Sequence, residues 1–537
     1  MTAKLRLPAT DLADATVLVL GLGASGLAMA RWCDAQGARV RIWDTRDTPP
    51  LAAALAEQVP AALRVGGAAD PALLEGCTRL LKSPGLAPGD ARIAPLLAAA
   101  RARGMPVQGE LVLFNQALAA LKAERGYAPR LLAVTGTNGK TTTVNMLALL
   151  ARRAGQSVAL AGNVGPTLLD TLATALHADT LPALWVLELS SFQLDGVDGF
   201  EPDAAAVLNL TQDHLDWHGD MASYGAAKAR VAGLRATLVI DRDDAGTEAH
   251  VLPAVLEPPI ALATSARGKT ARLPALEPRR IVGFGLGPPR EPGDFGLVEE
   301  AGMAWLVRAL PRDEPAQRRR GGAPLPQAAL PLDIQRLMPA DALRVRGRHN
   351  AANALAALAL ATAVDLPLAP MLHGLREYAG EPHRVALVGS VGGVEAFDDS
   401  KGTNVGATVA ALNGLGADKA PARLAVILGG DGKGQDFAPL AAPLARHARA
   451  VAFIGRDGAV IETAVRAALQ EAGVAMARPG PLPQAVDWCF EQARPGDAVL
   501  LSPACASLDQ FRDYGHRAEV FVAAVQARAA LAGEVVG

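Results

Sequence analysis

The sequence contains few cysteines. There are four among 537 residues, and no two of them have Cys-x-x-Cys spacing: Cys33, Cys77, Cys489 and Cys505. Such dispersed cysteines exclude a disulfide framework and a zinc site built from paired cysteines. A reducing compartment suits them best, and we therefore expect a cytoplasmic protein.

Long apolar runs and an excess of one charge are also missing. The apolar stretches are broken by Gly, Pro or charge before they reach the length of a membrane span, and residues 1–14 lack the basic-then-apolar order of a signal peptide. Lys and Arg number 52 against 54 Asp and Glu, a net charge of -2. This balance argues against a general nucleic-acid binder. We expect neither a membrane nor a nucleic-acid partner.

The length predicts about three domains. Ala15–Leu20 reads as a strand that leads through a Gly-rich turn and a helix to a second strand, Arg39–Trp43, which makes a βαβ unit and a parallel sheet. Another apolar strand, Arg130–Val134, runs into a second Gly-rich turn. We therefore predict an α/β protein with domains at 1–129, 130–379 and 380–537.

Residues 286–332 are rich in Pro, Gly and Arg and lose periodicity, so we predict that most of this range is a surface insertion. An Ala-rich helix is expected from Gly347 to about Val364. In the last domain, strands are predicted at Arg423–Leu428, Ala450–Ile454 and Ala498–Leu501, separated by helical stretches.

The turn after Arg130–Val134 has the composition of a phosphate-binding loop. It reads Thr-Gly-Thr-Asn-Gly-Lys-Thr over 135–141. Backbone N–H groups at a helix start bind phosphate, Lys140 adds a cation, and the Thr141 hydroxyl can ligate magnesium. The outer glycine of the full Walker pattern is absent, because Val134 occupies that position. The alternative is a turn that happens to carry a lysine.

Polar side chains follow two further apolar strands. Glu188 comes directly after Leu184–Leu187, and Asn209, Asp213 and His214 follow Ala204–Leu208. The carboxyl ends of strands are where open α/β sheets bind ligands, and these side chains offer oxygen and imidazole ligands to a metal ion. Each residue alone could equally be a strand cap or a turn former.

Three strings resemble the central domain of the Mur ligases: TGTNGKTT at 135–142, ELSSFQL at 188–194 and NLTQDHLD at 209–216. The distance to YGAAK at 224–228 also resembles that family. The resemblance implies an ATP-dependent ligase that activates a carboxylate of a UDP-muramoyl substrate as an acyl phosphate and joins an amino acid to it. It also implies two magnesium ions and a carbamylated Lys228. Without the resemblance, Lys228 would be taken for an exposed helix lysine.

Further strings resemble the D-glutamate-adding members of the family, most specifically LSPACASLDQF at 501–511. The others are DTR at 44–46, SPG at 83–85, DDSKGTN at 398–404 and GGDGK at 429–433. The resemblance covers nearly the whole chain outside 286–332. It implies Rossmann-like terminal domains around a central P-loop mononucleotide-binding domain, and a monomer in the cytoplasm that works in peptidoglycan synthesis, cell-wall biogenesis and cell division.

The resemblance also assigns site residues. UDP-N-acetylmuramoyl-L-alanine would contact Ala24, Ser25, Asp44, Thr45, Arg46, Ser83, Gly85 and Asn163. ATP would contact Gly136, Thr137, Asn138, Gly139, Lys140, Thr141, Thr142, Asn350, Asn353, Arg384 and Asp399. D-Glutamate would contact Lys401, Thr403, Lys433, Ser507 and Tyr514. Lys140, Glu188, His214 and Lys228 would be catalytic, and Thr141, Glu188, His214 and Lys228 would hold the metal ions. Tyr514 stands where the family often has another aromatic residue.

Other interpretations remain open at this point. Gly21-Leu22-Gly23-Ala24-Ser25-Gly26 followed by Asp44 also fits a dinucleotide-binding fingerprint and hence an NAD enzyme. A sibling Mur ligase, a folylpolyglutamate synthase, or a nucleotide-sugar-binding protein without turnover are further candidates. Asn350 could simply cap its helix, and any single lysine could be a solvated surface charge.

Overall fold

The N-terminal part of the chain forms a parallel five-stranded sheet. The computed structural model describes residues 7, 10–256, 279–312, 332–345 and 347–534. The strand order is β3-β2-β1-β4-β5, with β1 at the centre. All five side chains of β1 are buried, as a sheet covered on both faces requires. The elements are β1 Thr16–Leu20, α1 Ala24–Ala35, β2 Arg39–Trp43, α2 Ala52–Gln58, β3 Leu63–Val65, β4 Arg79–Lys82, α3 Ala94–Ala102 and β5 Val107–Gln108.

A second parallel sheet of six strands follows the connecting helix α4, Glu110–Arg125. Its order is β11-β10-β9-β6-β8-β7. The strands are β6 Arg130–Thr135, β7 Val158–Gly162, β8 Leu184–Glu188, β9 Ala204–Val207, β10 Thr237–Asp241 and β11 Ile281–Phe284. The helices between them are α5 Lys140–Arg153, α6 Leu168–Ala178, α7 Ser191–Leu194, α8 Leu215–His218, α9 Met221–Ala229, α10 Ala245–His250 and α11 Leu252–Leu256.

Part of the range predicted as an irregular insertion is folded. Strands β12 Phe295–Glu300, β13 Met303–Pro311 and β14 Leu332–Pro339 form a three-stranded antiparallel sheet. Phe295, Leu297 and Leu306 are buried in the same hydrophobic cluster as the central sheet. The prediction of a surface segment without periodicity is therefore wrong for 295–311, where alternating apolar residues reach the core. Residues 313–331 lie outside the described part of the chain.

Helices α12 Arg348–Ala363 and α13 Leu368–Glu377 complete the central layer. The third sheet then has the order β15-β16-β20-β17-β18-β19, with only the edge strand β15 antiparallel. Its strands are β15 Ala386–Val391, β16 Val394–Asp398, β17 Leu424–Gly429, β18 Ala448–Ile454, β19 Ala475–Ala477 and β20 Ala498–Leu501. Its helices are α14 Val405–Lys419, α15 Ala441–His447, α16 Gly458–Glu471, α17 Leu482–Gln492 and α18 Tyr514–Leu531.

The strands predicted from the sequence are confirmed to within about two residues, since short apolar runs bounded by Gly or polar residues mark parallel strands well. None of the described helices is long and apolar enough to cross a membrane. The loops that carry the candidate site residues follow the carboxyl ends of strands, the edge at which α/β sheets bind ligands.

The antiparallel sheet gives a stability test of the corrected region. Phe295 is fully buried and Met303, on the same hairpin, is 42% exposed. We expect Phe295→Ala to lower the free energy of unfolding by about 3 kcal/mol or more, because it leaves a core cavity. Met303→Ala, the matched control, should change it by less than about 1 kcal/mol. Urea unfolding, followed by circular dichroism, measures both free energies. Equal effects of the two substitutions would show that this hairpin is not part of the core.

Candidate active site

The phosphate-type loop lies between β6 and the start of α5. Gly136 and Gly139 have φ of +150° and +82°, which an L side chain rarely adopts. A Cβ atom on Gly139 would also come within 2.5 Å of Asn353 Oδ1. Asn209 holds the loop by accepting a hydrogen bond from Asn138 N (2.8 Å) and donating one to Asn138 O (3.1 Å). The loop is thus held open, with its backbone at the positive end of α5.

Two lysine amines converge on this loop. Lys140 Nζ and Lys228 Nζ both donate to Gly136 O at 2.8 Å, and Lys140 also donates to Thr137 O. Lys228 is 1% exposed and lies 4.6 Å from the centroid of the Tyr224 ring, so the alternative of an ordinary surface lysine is wrong. Burial, with the nearby Lys140 cation, lowers the pKa of Lys228 well below its usual value. Burial also lowers the pKa of Lys140.

Glu188 ends β8 beside these lysines and is 1% exposed. Its Oε1 accepts a hydrogen bond from Asn163 Nδ2 at 2.9 Å, whereas its buried Oε2 has no hydrogen-bond partner among the described residues. An unpaired buried carboxylate oxygen is costly unless a cation or donor satisfies it. Glu188 can therefore bind a cation or accept a hydrogen bond at this oxygen. Asn163, predicted to contact the UDP substrate, also supports Glu188 through this hydrogen bond.

His214 precedes α8 in the left-handed conformation, with φ of 55°. Its ring lies 4.7 Å from that of Phe192 and 6.3 Å from that of Tyr224, measured between centroids. Nε2 is 3.5 Å from Asp213 Oδ2. Burial lowers the pKa of His214, and the Lys433, Lys140 and Lys228 cations act in the same direction. A neutral imidazole is the form that can accept a proton or ligate a metal.

Of the four predicted metal ligands, Glu188 and Thr141 have oxygen atoms suited to magnesium, and the four do not form a complete cage. No group of three or more His, Cys, Asp or Glu residues converges on a metal position within the described ranges. Glu188 offers its unpaired oxygen, and Thr141 offers a buried hydroxyl at the start of α5. Magnesium binds oxygen and keeps ligands from substrate phosphates. The residues fit a cation held jointly by protein and phosphate.

A cavity of about 210 Å³ adjoins the loop, between α12 and the third domain. Asn350 and Asn353, both buried, line it and hydrogen-bond to each other at 3.2 Å. The residue that caps α12 is Gly347, so the alternative that Asn350 is the helix cap is wrong. Their shared face of the helix is directed at the cavity.

Arg384 and Asp399 reach the same cavity from the third domain. Arg384 donates to Thr141 Oγ1 at 3.1 Å, directly on the phosphate loop. Its Nε is buried and has no hydrogen-bond partner in the part of the chain that the structure describes. Asp399 accepts a bond from Ser502 Oγ at 2.7 Å, and burial raises its pKa to about 7. The predicted nucleotide contacts from two domains are thus brought to one place.

Lys401 and Tyr514 lie together in the third domain, with Lys401 Nζ 5.5 Å from the centroid of the Tyr514 ring. Burial lowers the pKa of Lys401, and the Arg384 cation acts in the same direction. Glu188 and Lys140 also act on it, which places this lysine beside the central site. Thr403 is bonded through its backbone to Lys401 O at 3.0 Å.

Lys433 and Ser507 belong to two loops that are paired through backbone hydrogen bonds between Asp431 and Ala506, both 2.9 Å. Lys433 has φ of 51° in its tight turn. Ser507 is 4% exposed. The pairing explains why two strings some 70 residues apart in sequence supply one surface.

The N-terminal glycine loop is closed by Ser83. Its Oγ donates to Gly21 O at 2.9 Å, and a Cβ atom on Gly26 would lie 1.9 Å from the same oxygen. Ala24 and Ser25 begin α1 directly after this loop. Their position at a helix start is compatible with the diphosphate contact that the sequence predicts.

Asp44 directly follows β2 and is hydrogen-bonded to the same loop. It accepts hydrogen bonds from Leu22 N (2.7 Å) and from the backbone and guanidinium of Arg46, and this hydrogen bonding with Arg46 lowers its pKa to about 2. Thr45 lies between them and is partly exposed. Gly85 is exposed beyond Ser83. No contact in the structure tests their assignment to the nucleotide substrate.

The structure adds two residues that the assignment omitted. Asn404 exchanges amide hydrogen bonds with Asn138 across the domain boundary, at 3.0 and 3.2 Å, and also bonds to Asp213 Oδ2. Asn209 holds the phosphate loop. Both residues belong to the sequence strings quoted above. Their hydrogen-bond partners could not be predicted, because they are set by contacts between loops that are distant in sequence.

Models of three families match the chain in order. They are "Mur ligase MurD-like, N-terminal domain" over 15–109, "Mur ligase middle domain" over 134–256 and "Mur ligase, glutamate ligase domain" over 383–505. Among solved structures, MurF from Acinetobacter baumannii is 16% identical with a TM-score of 0.52, covering 92% of this chain and 89% of that one. At this identity the likeness shows the fold.

Curated relatives are much closer in sequence. The UDP-N-acetylmuramoylalanine–D-glutamate ligase of Albidiferax ferrireducens is 56% identical over 97% of this chain and 98% of its own. The enzyme of the same name from Burkholderia thailandensis is 56% identical over 95% and 96%. From this full-length identity and the three matching models, the chain belongs to the Mur ligase family, in its group of UDP-N-acetylmuramoylalanine–D-glutamate ligases.

Proposed function

We propose that this chain uses ATP to join D-glutamate to UDP-N-acetylmuramoyl-L-alanine, giving ADP and phosphate, in the synthesis of peptidoglycan precursors. The observation that carries the proposal is the pair of amines, half-buried Lys140 and buried Lys228, on the phosphate-type loop, with the Glu188 carboxylate near enough for its charge to act on both. The names of the full-length relatives support the substrates. A cytoplasmic location, a monomeric state and a role in cell division are part of the same proposal.

In the first step the carboxylate of the L-alanyl group attacks the γ-phosphorus of ATP, and ADP leaves. The loop N–H groups and the start of α5 bind the phosphates, and Lys140 exchanges its loop carbonyl partners for phosphate oxygens. Two anions must approach each other, so positioning and charge neutralisation account for most of the catalysis. Bound magnesium ions would supply further positive charge at these oxygens.

Lys228 takes part as a carbamate in this proposal. Its amine is buried with a strongly lowered pKa, which favours the neutral form that can add to carbon dioxide. Addition of the neutral amine to carbon dioxide forms an N–C bond and releases one proton, converting a neutral group into an anion. The product would give the site a second buried carboxylate beside Glu188, which suits two magnesium ions better than an additional ammonium.

In the second step the neutral amine of D-glutamate attacks the acyl carbon. The C–N bond forms, phosphate leaves with the former carboxylate oxygen, and the nitrogen loses a proton. The two carboxylates of D-glutamate require cations and hydroxyl donors. Such groups are provided by Lys401, Lys433 and Ser507. The charge of Lys433 acts on the pKa of His214, and the charges of Glu188 and Lys140 act on the pKa of Lys401.

The amino-acid preference tests the proposal directly. We expect rapid phosphate release with ATP, UDP-N-acetylmuramoyl-L-alanine and D-glutamate, because two cations face the two carboxylates. L-Alanine or a diamino acid in its place should give little turnover. Equal or faster release with either would reject D-glutamate specificity in favour of a sibling ligase, and no release with any amino acid would favour a binding protein without turnover.

Lys228→Ala tests the carbamate. The variant should lose nearly all activity, and added short carboxylic acids should restore part of it by occupying the ligand position. Lys228→Arg should stay inactive, because guanidinium keeps the charge but forms no carbamate. Lys122→Ala, which alters an exposed lysine of α4, is the control for loss of a positive charge. Normal turnover of Lys228→Arg in bicarbonate-free buffer would exclude the carbamate.

Arg384 tests the contribution of the third domain to the nucleotide site. We expect Arg384→Lys to lower kcat/KM for ATP roughly tenfold or more, since a lysine cannot present the same planar set of donors to the loop and phosphates. Arg376→Lys, on the exposed side of α13, should leave it unchanged. Steady-state kinetics at varied ATP measure both, and equal values would show that Arg384 does not serve the nucleotide.

A further inference from the structure

The cavity beside the phosphate loop contains an acidic side chain that no motif identifies. Asp241 is the last residue of β10 and lines the cavity together with Phe284 and Leu286. Asn350 and Asn353 line it from α12. The cavity therefore combines apolar surface with a few polar groups, as sites for flat heterocycles do.

Asp241 has hydrogen-bonding capacity left over. One carboxylate oxygen accepts a bond from Asp243 N at 2.9 Å, and none of the described residues donates to the other. The neighbouring Asp243, which also lines the cavity, accepts a bond from Leu286 N at 2.7 Å and so holds the loop after β11. Asp241 is therefore the better candidate for recognition, and Asp243 for structure.

The position of Asp241 suits the base of a nucleotide. β10 is separated from β6 by β9 alone, so two strand spacings place Asp241 about 10 Å to the side of the strand that ends in the phosphate loop. That separation is comparable to the distance from the phosphates of a nucleotide to its base. Burial raises the pKa of Asp241 to about 7, as expected for a carboxyl group enclosed beside aromatic and aliphatic side chains.

We propose that Asp241 determines the choice of purine by accepting a hydrogen bond from the 6-amino group of adenine and repelling the 6-oxo group of hypoxanthine or guanine. The proposal rests on the proposed use of ATP. Above its pKa of about 7 Asp241 is a carboxylate, which is an acceptor only. It then pairs with an amino group and leaves an oxo group facing a negative charge, so the discrimination is expected above that pH. Asparagine offers both an acceptor and a donor, so it should tolerate either purine.

The test compares ATP with inosine triphosphate, in which the 6-amino group is replaced by an oxo group. For the unchanged protein we expect kcat/KM for ATP to exceed that for inosine triphosphate strongly. Asp241→Asn should reduce this ratio about tenfold or more, mainly by improving the use of inosine triphosphate. Asp243→Asn, the matched control, should lower both values together and leave the ratio unchanged.

Two results would overturn the inference. The first is an unchanged ratio of kcat/KM values in Asp241→Asn. The second is that Asp241→Asn no longer discriminates between ATP and 3′-deoxy-ATP, which would place the carboxylate at the ribose. Binding of both nucleotides, measured by calorimetry on folded variants, gives the same comparison if turnover is lost. If the unchanged protein releases no phosphate from ATP, the proposed function fails; if it does and the ratio is unaffected, only the role of Asp241 fails.

Discussion

The carbonyl oxygen of Gly136 receives two lysine amines, and the rest of the site is arranged around that contact. Lys140 and Lys228 each donate to it at 2.8 Å, on a residue whose φ of +150° requires glycine. Burial of the Lys228 amine, and then repulsion by the like charge of Lys140, lower the pKa of Lys228 well below its usual value. A site with this charge distribution binds anions, and one amine that loses its proton readily is available for chemistry.

The same constraint explains why the site needs more than the central domain. The loop supplies cations, but polar groups that face it come from the third domain, from the residues just before β15 and just after β16. Arg384 contacts Thr141, and Asn404 pairs with Asn138. These bonds join the loop to residues that lie more than 240 positions further along the chain. The site is therefore complete only when the loop and these later residues are in contact.

Much of this could be predicted from the sequence, and the failures have physical reasons. Parallel strands appear as short apolar runs that end in Gly or a polar residue, so their positions and the residues after them were predictable. The hairpin around Phe295 was missed because frequent Pro, Gly and Arg obscured its alternating pattern. Asn404 and Asp241 were missed for a different reason: beside a strand or helix end, Asn and Asp are usually caps or turn formers, and only the meeting of distant loops shows what they face.

Small residues at the domain boundary bring a second helix end to the phosphate loop. A Cβ atom on Gly406, in the first turn of α14, would lie 2.7 Å from Thr211 Oγ1 and 3.2 Å from Asn138 Nδ2. Asn404 caps this helix by accepting a bond from Ala407 N at 2.9 Å while it bonds across to Asn138. The starts of α5 and α14 therefore both approach the loop, and each carries a partial positive charge. The two helix ends add to the field of the lysines and strengthen the attraction for phosphate.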